Sequence, residues 1–118
     1  MKQFFVLMCV IGILSCRPLE SISDEVIEVA VSRVKIEYVA QMPELMKEIR
    51  EKLRAYDGFI SMQSLRTDDT SRVFVDILRW RSKEHAQKAF DDFHKTDACT
   101  RLMNAIENDI YFGHLKNY

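Results

Sequence analysis

Three histidines and a few carboxylates carry whatever proton chemistry this chain can do. His85, His94 and His114 are the side chains whose ordinary pKa lies nearest neutrality. His94 stands at the end of a helical run beside Phe93, and His114 follows Tyr111 in the last apolar run. Asp76 interrupts "VFVDIL", where strand alternation puts it on one face with Phe74 and Leu78. A carboxyl buried there needs a partner or a raised pKa. Other chemistries find no support. There is no Gly-rich phosphate loop, no Ser/His/Asp arrangement, no Cys/His cluster at metal spacing, and no flavin or nicotinamide fingerprint. The sequence therefore implies neither a metal nor a cofactor. Charge excludes a further class, because 17 Lys+Arg against 18 Asp+Glu give a net −1 and the arginines are scattered. No basic field for nucleic acid results.

The elements that must position these residues follow from periodicity. The chain of 118 residues is 47% hydrophobic with three Gly and two Pro, which suits one domain with a modest core and little linker. "EVIEVAVSRVK" (25–35) is rich in Val and Ile and predicts a strand. A helix begins between Glu37 and Pro43, with Val39, Met42, Leu45, Met46, Ile49 and Leu53 on its apolar side and Pro43 in its first turn. Gly58 in "YDGF" ends it in a left-handed conformation. "FISMQSLR" (59–66) and "RVFVDILRW" (72–80) flank "TDDTS" and predict a hairpin. Ser82 is a natural N-cap, followed by Ala86, Ala89, Phe90 and Phe93 at helical spacing. Cys99, Leu102, Met103 and Ile106 repeat that spacing, and "DIYFGHLKNY" (109–118) closes the chain as a strand.

The order β-α-β-β-α(α)-β predicts an α+β, ferredoxin-like antiparallel sheet with helices on one face. Both strand faces are apolar: Ile27, Val29 and Val31 oppose Val26, Ala30 and Val34, and Val73, Val75 and Ile77 oppose Phe74, Leu78 and Trp80. Helices can cover only one of them. The other predicts a second sheet, most economically from an identical subunit.

The first residues are a different object. Met1-Lys2 precedes "FFVLMCVIGIL" (4–14), an apolar run of about 16 Å as a helix, too short for an ordinary membrane span. It reads as a secretory signal. "ILSC" resembles a bacterial lipobox with Cys16 as the acylated residue, since no nearby pair of small residues suits ordinary signal cleavage. The expected organisation is a signal peptide over 1–15, a tether over 16–24 and a folded domain over 25–118. The expected address is the cell envelope, anchored through lipid on Cys16, with a plain secreted or periplasmic form as the alternative. Cys9 would leave with the signal, so Cys99 remains alone, without an internal disulfide. Its helical stripe predicts a small buried hydrophobe.

"DILRWRSKEHAQKAF" (76–90) resembles the strand-to-helix junction of the antibiotic biosynthesis monooxygenase superfamily, in which a strand ends in an R/E-W-x-S run before an Ala-rich helix. "YDGFISMQSLR" (56–66) and "HKTDACTRLMNAIENDIYFGHLK" (94–116) are similar to its second strand and its closing helix and strand. The resemblance spans about Val26 to Lys116. It implies a dimeric α/β barrel, a homodimer joined through the sheet face, and a small aromatic or quinol-like ligand.

Within that superfamily, haem degradation is disfavoured. The matching run "FHKTDAC" has Phe93 where the haem site has Trp, Met103 where it has His, and the first strand has no Asn. A cofactor-independent monooxygenase or quinol-type enzyme asks only for a base, a dry pocket and groups that hold the substrate. His94 is the base candidate. Trp80, Phe93, Asp76, Tyr111 and His114 are candidate substrate-binding residues, with Trp80 packed at the strand end and covering the sheet's edge. His85 is expected to be a solvated first-turn residue. A non-catalytic binding domain that keeps the pocket is the alternative.

Overall fold

The computed structural model describes residues 24–118. The expected signal peptide, Cys16 and nearly all of the tether lie outside the described residues.

Strand β1 (Val26–Val34) opens the domain, and a 3-10 turn (Ile36–Gln41) leads into helix α1 (Met42–Arg54). Pro43 occupies the first helical turn, where its missing N–H has no partner to lose. Met42, Met46, Ile49 and Leu53 are buried along one stripe of α1. Val39, expected on that helix, belongs to the 3-10 turn instead. Gly58 follows with φ 83, as the sequence predicts. The His85 ring occupies the space a Cβ on Gly58 would need, so this turn and the start of the next helix are packed together. His85 is thus half-buried packing, with Nδ1 2.7 Å from Ser82 Oγ, and not the solvated residue expected.

Strands β2 (Phe59–Arg66) and β3 (Val73–Trp80) form the hairpin. Arg72, expected to start β3, has φ 62 and ends the loop. Its guanidinium holds that conformation through Nη1, which donates to Val34 O at 2.6 Å and Glu107 Oε1 at 2.9 Å. Helix α2 (Lys83–Phe93) is capped by Ser82, whose Oγ accepts from His85 N at 3.2 Å. Helix α3 (Asp97–Ala105) is capped in the same way by Thr96, which accepts from Cys99 N at 3.2 Å. Ile106 does not continue the helical stripe: at φ −83, ψ 127 it starts β4 (Ile106–Leu115). Its β-branched side chain suits the extended state better than a helix end.

The sheet order is β2-β3-β1-β4 with all neighbours antiparallel, the ferredoxin-like arrangement. The helices cover one face, where Val34, Ile49 and Trp80 are the largest fully buried side chains. Cross-strand pairs Val29–Ile77 and Val31–Val75 set the centre of the opposite face. Leu65 (44% exposed) and Leu115 (45%) flank it, Tyr111 lies along its β4 side, and no described helix packs on it. No helix among the described residues is long and apolar enough to cross a membrane.

Candidate functional site

Between the helices and the sheet lies a cavity of about 350 Å³. Met46, Ile49 and Leu53 of α1, Phe90 and Phe93 of α2, and Leu102 of α3 form its helical wall. The sheet supplies the floor, where alternation brings Glu28 and Ala30 of β1 beside Phe74, Asp76, Leu78 and Trp80 of β3. A wider groove between α1 and α3 is of another kind. It is an open trough with Tyr38, Met42 and Leu45 at its base and Glu44, Glu48, Glu51 and Arg101 among its lining, Arg101 being tied to Glu48 (3.0 Å from Nη1) and Asp97 (2.8 Å from Nε).

Trp80 is 1% exposed, and its indole Nε1 donates to Glu28 Oε1 at 2.8 Å. Phe59 meets the indole edge-on, with ring centroids 5.6 Å apart. Because β3 is an inner strand, Trp80 does not cover a sheet edge as expected; it closes one end of the cavity floor. Its bond fixes one oxygen of Glu28. Burial pushes the Glu28 carboxyl up, while the Trp80 bond and the nearby His114 pull it back.

Asp76 is paired in register with Ala30 on one side and Ser64 on the other. Burial raises its pKa to about 6, against the opposing hydrogen bond from Ser64 and the charge of Arg50. Arg50 stands behind Ser64, with Nη2 3.4 Å from Ser64 Oγ, and its Nε is buried without a hydrogen-bond partner among the described residues. Asp76 therefore meets the sequence expectation of a perturbed strand carboxyl.

The remaining candidates separate. Phe93 lies on the wall. His94 is the exposed C-cap of α2, reaches the mouth of the cavity, and stacks on Phe90 with centroids 4.1 Å apart. Its Nδ1 lies 2.8 Å from Phe90 O, which can only accept, so Nδ1 carries the proton and Nε2 is free to accept one. Tyr111 touches the cavity, but its hydroxyl lies where a Cβ on Gly113 would stand, so the ring runs along β4. His114 does not reach the wall. It is exposed on edge strand β4, beside Phe112 and opposite Glu28. Cys99 is buried on the wall as expected, and burial raises its thiol pKa. No group of three potential metal-ligating side chains occurs among the described residues.

Glu28, Ser64 and Arg50 were missed from sequence. A signal for Glu28 was present, since period-two alternation puts it on the inward face with Val26 and Ala30. Ser64 and Arg50 carried none, because only the pairing of β2 with β3 and the docking of α1 bring them to Asp76.

The family profile described as antibiotic biosynthesis monooxygenase matches residues 25–105. The chain belongs to this family. Among solved structures, SnoaB, a cofactor-independent oxygenase from Streptomyces nogalater, is similar with a TM-score of 0.72 at 19% identity, over 80% of this chain and 94% of that one. A conserved protein from Methanosarcina mazei Go1 has a TM-score of 0.69 at 14% identity, over 85% and 98% of the two chains. A Pseudomonas aeruginosa protein has a TM-score of 0.64 at 14% identity, over 82% and 97%. Such identities carry the fold alone. No curated protein matches the chain. In this antibiotic biosynthesis monooxygenase domain, the site must therefore be argued from the cavity itself.

Proposed function

We propose that this protein is a cofactor-independent monooxygenase or quinol-type enzyme, acting on an electron-rich hydroxyarene in the cavity above Trp80. The observation that carries this reading is Asp76, a carboxyl whose pKa burial pushes up to about 6, on the floor of a largely apolar cavity. A base poised near the working pH, in a site that sheds water, can take the proton of a bound phenol or quinol. The resulting anion is electron-rich enough to reduce dioxygen directly. His94 Nε2 at the mouth passes the proton on to solvent, and Phe90 and Phe93 pack against the ring. The fold shared with a cofactor-independent oxygenase supports the assignment at the level of scaffold.

The proposal extends to assembly and address. Two copies join through the apolar sheet face, and "ILSC" directs export with lipid on Cys16. Oxygen consumption by the mature protein across a panel of quinols and naphthols tests the chemistry. Asp76→Asn should lower turnover at least a hundredfold, and His94→Ala by about tenfold. Ligand binding with no oxygen uptake by the wild type would instead identify a non-catalytic binding domain.

A further inference from the structure

The groups that line the cavity have a one-sided polarity. Glu28 and Asp76 are diagonal neighbours on β1 and β3, since Glu28 pairs with Leu78 and Ala30 with Asp76. Such positions are about 7 Å apart, on the scale of one aromatic ring. Trp80 occupies Glu28 Oε1, and no hydrogen bond among the described residues occupies Oε2. Asp109 adds a third carboxyl at the β4 side. Among the described residues no Lys or Arg lines the cavity, and His94 is the lining imidazole, at the exposed mouth. Arg50 is held back behind Ser64. The floor therefore offers acceptors and negative charge, and the walls offer apolar surface.

We infer that Glu28 and Asp76 are specificity-determining residues, which select an uncharged aromatic diol by accepting its two hydroxyls and exclude the same ring when it carries a carboxylate. The inference rests on the cavity being the ligand site proposed above. A diol leaves both carboxyls hydrogen-bonded. An ether of the same ring leaves them without partners, and a carboxylate brings like charge into a poorly solvated space. Trp80 is a positioning residue here, because its N–H holds Glu28 with Oε2 free.

The test is calorimetric titration without oxygen, using 1,4-dihydroxynaphthalene, its dimethyl ether and 1,4-dihydroxy-2-naphthoate. The diol should bind at least tenfold more tightly than either of the others. Glu28→Gln and Asp76→Asn, near in shape to the native residues, should each weaken the diol at least threefold and tighten the naphthoate at least threefold. A gain for the anion is a result that structural damage does not produce. If one variant fails to fold, the other carries the same crossing. Equal binding of diol and ether, or variants that leave the naphthoate unimproved, overturn the inference. Because oxygen is absent, selectivity is read separately from turnover. Discrimination without later oxygen uptake leaves this inference standing while the oxygenase reading falls, and oxygen uptake without discrimination does the reverse. If none of the three binds, both fall.

Discussion

At the residue scale, Asp76 couples the site to stability. The folded chain holds the Asp76 proton more tightly than the unfolded chain does, with a pKa of about 6 against 3.8. The contribution of the protonated form is complete below 3.8 and is lost as pH rises through about 6, at most about 2–3 kcal/mol. Glu48, Glu107 and Asp69 run the other way. Arg101, Arg72 and Ser71 hold their carboxyls low, so their contributions disappear as pH falls. Asp76→Asn should therefore stabilise the protein by about 1–2 kcal/mol at pH 7.5 and by little at pH 4. Urea midpoints of both proteins across that range measure the difference, and a constant gap would show that Asp76 is not the titrating group. Trp80 makes a second prediction. Trp80→Phe keeps most of the packing but strips Glu28 of its donor, so it should cost about 2–3 kcal/mol in urea unfolding. The native emission, which comes from this single Trp, should be blue-shifted and perturbed by a bound diol.

At the element scale, the junction of β3 and α2 is organised by contacts between sequentially distant turns. Arg81 N donates to Gly58 O at 2.7 Å, and the His85 ring lies against Gly58. This is why a tryptophan between two arginines can pass directly into a helix. The indole turns inward to Glu28, Arg79 pairs outward with Glu25 at 2.6 Å, and Arg81 is exposed while its backbone ties down the turn before β2. Gly58→Ala adds both a left-handed alanine and a collision, so it should destabilise by more than about 2 kcal/mol. Adding His85→Ala should recover part of that loss. Thermal unfolding of the single and double variants checks it, and additive losses would mean that the ring yields without cost.

At the scale of the whole molecule, the uncovered sheet face decides assembly. Val29, Val31, Val75 and Ile77 form its centre in register, and an apolar surface of this kind needs a cover in water. The protein should sediment as a dimer at micromolar concentration without an intersubunit disulfide. Val29→Lys, which puts a charge at that centre, should shift it to monomer or make it aggregate. A wild-type monomer would require a different cover. The proposed lipid anchor belongs to the same scale. Labelled fatty acid should enter the wild-type chain, and Cys16→Ala should leave the protein unprocessed or soluble.

Local rules made much of this protein legible in sequence. Alternation specified the strands and their two apolar faces, helical spacing specified the buried stripe of α1, and Gly58, Ser82 and Pro43 stand where a turn, a cap and a first turn need them. These readings depend on contacts or dihedral preferences within a few residues, which sequence carries directly. Boundaries were less legible. Ile106 fits a helical stripe by spacing, but its role at the start of β4 depends on pairing with Val34, seventy-two positions earlier. The site depended most on tertiary structure. His94, prominent in sequence as a histidine beside an aromatic, lies at the mouth, while Glu28, Trp80 and Asp76 from two strands lie on the floor and Ser64 of a third strand bonds Asp76. Which carboxyl loses its water, and which donor reaches it, is set by strand order and by the docking of the helices. No spacing along one segment encodes that.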